Sequence, residues 1–342
     1  ALDNAENVEN FGVQAIFVSG LSGTGKSTII KSAFYDICSR NTTNNRIPRY
    51  LIGSAKFDQH QRSAIPFAAL RCVLSEICIQ ILNSSSFNEF REAMSEDIAR
   101  DHQKALASFA PQIQTLLNHE RQDYRLQKQH ANTNAPSKSS CSSSASSSAH
   151  QVSTSNAESF NVVKLALRSF FRVISNILPT IICIDDIVWS DAATLDILQS
   201  IITDSQLQHV VFCATYRSNE VPDDDASHPL NIWKMEIEKK IEVCQNITLG
   251  NLTVGEVQQL LSDAMKLETN TVSDLASLVY SRTHGNIFFI LQLIESLQDM
   301  NLIFFENIQR RWAWKLDKIK EKTSISSNVV EVVCSRIKRL PP

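Results

Sequence analysis

Val13-Gln14-Ala15-Ile16-Phe17-Val18-Ser19 runs directly into Gly20-Leu21-Ser22-Gly23-Thr24-Gly25-Lys26-Ser27, and Thr28-Ile29-Ile30-Lys31-Ser32-Ala33-Phe34 follows. An apolar β-like run, a glycine loop and a helical pattern stand in that order. The loop fits G-x-x-x-x-G-K-[ST], the phosphate-binding loop, in the strand–loop–helix context that the motif requires. Glycine is scarce in the chain, with 8 in 342 residues, and Gly20, Gly23 and Gly25 fall within six positions. Such clustering marks a loop that needs unusual dihedrals or close backbone approach. Backbone N–H groups in such a loop point at a phosphate, and the helix N-terminus adds partial positive charge. The reading assigns Gly20, Leu21, Ser22, Gly23, Thr24, Gly25, Lys26, Ser27 and Thr28 to nucleotide binding. Lys26 reaches the β- and γ-phosphates, and the Ser27 hydroxyl ligates Mg2+.

Outward from the loop, further short apolar runs recur. Thr180 to Ile184 leads into Asp185-Asp186, and His209 to Thr215 leads into Tyr216-Arg217; Tyr50-Leu51-Ile52 is a weaker one. Continuous apolar strands of this kind belong in a parallel sheet buried on both faces. Amphipathic helical spacing lies between them, as in Val162, Val163, Ala166, Leu167, Phe170, Phe171 and Ile174. The fold class is therefore α/β, a phosphate-loop NTPase whose parallel sheet is sandwiched by helices. From about residue 251 the pattern turns helical, opened by a capping box at Thr253-Val254-Gly255-Glu256. A hairpin with Trp312 and Trp314 on one face follows this helical lid.

These patterns divide the chain into a tail (1–12), an ATPase core in two parts (13–130 and 159–250), a lid (251–300) and a closing region (301–342). The closing region holds the hairpin and the start of a helical or winged-helix segment. Between the two core parts, 131–158 reads as a disordered insertion. Eleven serines fall within 137–156, and such a segment cannot offset its ordering entropy by burial.

Asp185 ends a buried strand, where a phosphate-loop ATPase needs an acid to hold Mg2+ through water. Asp186 is then placed to polarise the attacking water. Arg217, at the end of the next apolar strand, faces the γ-phosphate and reports its presence. No Asn-Lys-x-Asp signature for guanine occurs, so ATP is the expected nucleotide. The catalytic set is Lys26, Asp185, Asp186 and Arg217.

The 33 basic and 36 acidic residues give a net charge of −3, which argues against a polybasic nucleic-acid binder. A local excess of nine basic over four acidic residues in 306–342 keeps a DNA-binding reading open. The eight cysteines form no C-x-x-C pair and no zinc spacing, which fits reduced thiols in a cytoplasmic protein. No apolar run reaches the length of a membrane span. The polar start, without an initiator methionine, and the abrupt end suggest a piece of a longer protein.

Asp185-Asp186-Ile187-Val188-Trp189-Ser190-Asp191 resembles the D-D-x-x-W-[AS]-D box of the AAA/STAND-type ATPases. It is similar, more narrowly, to origin-recognition-like AAA ATPase domains of large multidomain signalling proteins. Lys56-Phe57-Asp58-Gln59 with Pro66-Phe67-Ala68-Ala69-Leu70, and Ala214 to Val221, resemble two further strand segments of that family. Thr283-His284-Gly285-Asn286-Ile287-Phe288-Phe289 resembles the T-x-G-N-P-F-F of its lid, and Trp312-Ala313-Trp314 the W-x-W after it. The resemblance implies an ATP·Mg2+ switch in which nucleotide binds between core and lid. Its partners would be ATP and ADP, kinase, cyclase or regulator modules of the same full-length protein, and other copies of itself through self-association. Ile287 replaces the family's proline, the G-R-E-like adenine box before the first strand is absent, and Asp186 stands in place of a glutamate. The last departure implies slow turnover. A non-hydrolysing, nucleotide-held scaffold and a DNA-binding initiator-like ATPase are the rival readings.

Overall fold

The computed structural model describes residues 11–40, 50–57, 67–117, 156–221 and 225–325. In chain order these form β1 (Val13–Gly20), α1 (Lys26–Arg40), β2 (Leu51–Lys56), α2 (Ala68–Asn83), α3 (Phe87–Asp97), α4 (Arg100–Phe109), α5 (Pro111–Leu117) and α6 (Asn156–Ile177). Then come β3 (Thr180–Asp185), a short 3-10 turn (Ile187–Trp189), α7 (Ala192–Ile202), β4 (Val210–Thr215), α8 (Pro229–Glu238) and β5 (Val243–Leu249). The remainder is α9 (Val254–Met265), α10 (Thr269–Thr283), α11 (Ile287–Asp299), β6 (Ile303–Glu306), β7 (Arg311–Trp314) and α12 (Leu316–Ile325).

The apolar runs pair as the expected sheet, in the order β2-β3-β4-β1-β5. β2–β3, β3–β4 and β4–β1 are parallel, with Val18 opposite Thr215 and Lys56 opposite Asp185. β3 and β4 are buried along nearly their whole length because both faces are covered. Phe17, Ile182, Ile184, Phe212 and Ala214 point into the main core, where α2 to α8 contribute Leu70, Leu74, Phe90, Phe170, Ile197 and Trp233. Cys183 and Cys213 alternate onto the other face as register partners. Their mutual hydrogen bond and their burial push the Cys183 thiol far above its ordinary range, so it stays protonated and unreactive.

β2 is an edge strand, and α2 satisfies its backbone. Glu76 accepts hydrogen bonds from the Ser54 N–H at 2.7 Å and the Ser54 hydroxyl at 2.8 Å, and Gln80 pairs with both polar groups of Ile52. Side chains thus occupy positions that another strand would otherwise seek. Gly53 permits the approach, since a Cβ there would lie 2.8 Å from the Val73 carbonyl oxygen. Asp204, after α7, accepts from Arg168 (3.0 Å) and doubly from Arg172 (2.7 Å each) on α6. Burial works against its charge, and the two guanidiniums outweigh burial, so its carboxyl titrates at about 2.

Two compact units result, residues 1–19 with 30–247 and residues 20–29 with 248–342. In the second, α9 opens with the expected capping box, both Thr253–Glu256 exchanges being present. Leu261, Leu275, Val279, Ile290 and Leu293 form its own core, against which Trp312 and Trp314 pack. The hairpin is antiparallel, with Phe305 opposite Trp312. Helix α6 begins at Asn156, inside the stretch read as insertion, with Glu158 in its first turn. Residues 118–155 lie outside the described residues, as do the tail at 1–10 and the basic stretch beyond 325.

Candidate functional site

The glycine loop adopts the strand–loop–helix form that its sequence predicts. Gly23 and Gly25 take φ of +82° and +91°, conformations that residues with a Cβ rarely tolerate. Thr24 closes the turn, its hydroxyl donating to the Leu21 carbonyl at 2.9 Å. Lys26 is only 7% exposed, and its ammonium donates to the carbonyls of Gly20 (2.9 Å) and Leu21 (2.8 Å). A buried cation is thereby held on the carbonyls of the loop itself. Among the described residues no acceptor is bonded to the N–H of Gly23 or Gly25. Those free donors, the helix start at Lys26 and the ammonium make a donor set that fits a polyphosphate.

On its outer side the loop is bonded within its own unit. The Asn286 side-chain amide donates to the Ser22 carbonyl at 2.9 Å, and the Phe288 N–H donates to the Gly23 carbonyl at 3.1 Å. Asn286 also caps α11. The sequence marked this segment as lid, and its bonding to the loop follows from tertiary packing.

The acids occupy the carboxyl ends of the central strands in the other unit. Asp185 ends β3, and its Oδ1 accepts from the Thr215 hydroxyl of β4 at 2.6 Å. That hydroxyl oxygen in turn accepts from the Asp186 N–H at 2.9 Å. Asp186 has a left-handed backbone, φ 56° and ψ 49°, and a buried side chain. Its oxygens lie between two cations, Lys56 Nζ at 3.5 Å and Arg217 Nε at 3.6 Å. Arg217 also meets Glu220 at 3.1 Å. The neighbouring Tyr216 is fixed by its N–H on the Val18 carbonyl and by its hydroxyl, which accepts from Lys234 at 2.7 Å. The Lys234 ammonium lies over the rings of Tyr216 and Phe17, 4.7 and 5.3 Å from their centroids.

Asp185, Asp186 and Arg217 are therefore brought together, and Lys26, Ser27 and the glycines form the loop. Sequence reasoning gave no role to Thr215 or Lys56, although both stood in the quoted segments. Only strand register shows that they face the acids. Asp191, the last acid of the box, is the N-cap of α7, with Oδ1 accepting from the Thr194 N–H at 2.8 Å. Among the described residues no group of three or more His, Cys, Asp or Glu could hold a metal by itself. No described helix is long and apolar enough to cross a membrane.

A family model described as AAA ATPase domain matches residues 2–213. The chain belongs to that family. Over 98 residues it is 31% identical to hybrid signal transduction histidine kinase G of Dictyostelium discoideum, which is 29% of this chain and 3% of that protein. The match thus spans a small fraction of the curated relative. A Walker-type ATPase of Pyrococcus abyssi aligns over 99% of this chain and 73% of its own, at 10% identity and a TM-score of 0.41. A signal transduction ATPase with numerous domains (STAND), with a tetratricopeptide repeat sensor, from Pyrococcus horikoshii aligns over 86% and 28%, at 11% identity and 0.35. Drosophila ORC bound to DNA aligns over 95% and 65%, at 12% identity and 0.39.

Proposed function

We propose that this AAA ATPase domain binds ATP with Mg2+, hydrolyses it slowly, and serves as the switch module of a larger signalling or regulatory protein. The observation that carries the reading is the loop, with its free N–H groups at Gly23 and Gly25 and its buried Lys26 ammonium. In this reading the loop holds the phosphates, with Lys26 on the β- and γ-oxygens. Ser27 and, through water, Asp185 would hold the metal. Bound Mg2+ supplies charge neutralisation on the phosphate oxygens. Thr215 keeps Asp185 oriented by occupying one carboxylate oxygen, and Asp186 orients the attacking water once its two cations turn away. Arg217, 3.6 Å from Asp186, would be the group that reports the γ-phosphate. Such a module switches only where ATP and ADP stabilise different arrangements. Its output passes to other modules of the full-length protein, a kinase, cyclase or regulator, as the histidine kinase relative suggests.

The ion pairs on Asp186 favour a second reading, in which nucleotide stays bound and holds the domain as a scaffold. One experiment separates the two. Phosphate release from Mg-ATP is followed beside calorimetric ATP binding for wild type, Lys26→Ala and Asp185→Asn. Lys26→Ala is expected to weaken ATP binding more than about 100-fold with the fold intact. Asp185→Asn is expected to abolish phosphate release. Unchanged binding in Lys26→Ala would sink the loop assignment. Tight ATP binding with no release in the wild type would establish the scaffold.

A further inference from the structure

We infer that Asn286 is a positioning residue for the phosphate loop, turning the Ser22–Gly23 peptide so that the Gly23 N–H is presented to phosphate. The inference rests on the nucleotide reading above and adds to it a residue that never touches the phosphates.

The argument starts from the planarity of the peptide. In a trans peptide the C=O and the following N–H point in opposite directions. The Ser22 carbonyl accepts from Asn286 Nδ2 at 2.9 Å, so the Gly23 N–H is directed away from Asn286. The next carbonyl, of Gly23, accepts from the Phe288 N–H at 3.1 Å. Two consecutive loop carbonyls are thus turned to the start of α11. Phe288 N–H is one of the unpaired donors of that helix end, and here it is spent on the loop.

Asn286 is built to hold this position. It is 5% exposed. Its own N–H donates to the Thr283 carbonyl at 3.1 Å, and the Gly285 carbonyl before it accepts from the Leu252 N–H at 2.9 Å. Its Oδ1 accepts from the Phe289 N–H at 3.4 Å as the helix cap. A carbonyl oxygen can only accept and an N–H can only donate, so these two partners also fix which way the amide faces. One end of the side chain serves the helix and the other end serves the loop. The fit is tight, since a Cβ on Gly23 would lie 2.6 Å from Asn286 Oδ1.

The two duties can be separated by substitution. In Asn286→Ser the hydroxyl still caps α11 but is too short to reach Ser22. In Asn286→Asp the capping oxygen and the shape remain while the donor is lost; both residues are good caps. The test measures affinity for Mg-tripolyphosphate, which probes the phosphate site without adenine contacts, and for Mg-ATP. Both variants are expected to bind each ligand about tenfold more weakly, the order of one charge-assisted hydrogen bond. Amide exchange is expected to rise in the loop and to stay unchanged in α11, which a purely capping role would not produce. Wild-type affinity in either well-folded variant overturns the inference and leaves the nucleotide reading standing. A wild-type chain that binds neither ligand overturns both.

Discussion

The glycine loop and the acidic strand ends, the two regions on which the proposed function rests, are made differently. The loop offers mainly backbone, in the free N–H groups of Gly23 and Gly25, and it is encoded by one contiguous stretch. The strand ends offer side chains, Asp185, Thr215, Asp186, Lys56 and Arg217, which come from β2, β3, β4 and their exits. A backbone device is sensitive to any added Cβ. A side-chain device is sensitive to the loss of one functional group and tolerant of shape.

The sharpest way to break that contrast is Gly23→Ala. The change adds one carbon, removes no functional group, and puts that carbon 2.6 Å from Asn286 Oδ1 and 2.8 Å from Phe288 Cβ at a φ of +82°. Nucleotide affinity is expected to fall more than about 100-fold, as severely as in Lys26→Ala, because strain and clash together cost several kcal/mol. Calorimetry checks this, and an affinity near wild type would mean that the loop is more plastic than its dihedrals imply.

Among side-chain devices the largest effect belongs to Asp204. Asp204→Asn leaves Arg168 and Arg172 without their anion and is expected to cost about 3 kcal/mol at neutral pH. The carboxyl has a folded pKa of about 2, below the usual value near 4. Its contribution is therefore complete above about pH 4 and fades as pH falls towards 2. Melting curves of wild type and variant should converge over that window. Curves that remain parallel would remove the ion pair as the cause.

Thr215→Val comes next. It keeps the shape and deletes the hydroxyl shared by Asp185 and the Asp186 N–H. A stability loss of about 1–2 kcal/mol is expected from the stranded partners. Phosphate release should slow about tenfold while ATP affinity holds, because the substitution leaves the loop intact. Equal losses in affinity and turnover would erase the distinction between the two regions. The smallest effect is that of Thr253→Ala, which removes the α9 capping box and should lower stability by about 1 kcal/mol without altering turnover.

The same contrast explains what could be read in advance. The loop, the buried strands and Asp185 were legible because each is local: a motif, a continuous apolar run, an acid at the end of a run. Thr215 and Lys56 acquire their roles only when β4 and β2 come into register with β3. β5 is not legible as a buried strand because five of its seven residues are exposed, so it lacks the continuous apolar run that marks β3 and β4. Its alternation of Val243, Ile247 and Leu249 was the available signal. Asn286 was legible as part of a lid motif, while its second hydrogen bond depends on where α11 is packed.

The register of β1 also sets a timetable for synthesis. Val13 to Val18 pair with Val210 to Thr215, so the first strand waits for partners made roughly 200 residues later. At about 5–20 residues per second, the nascent chain carries that apolar segment without its sheet for about 10–40 s. Over this interval it is a natural client for chaperones, and slower translation before residue 215 would lengthen its exposure.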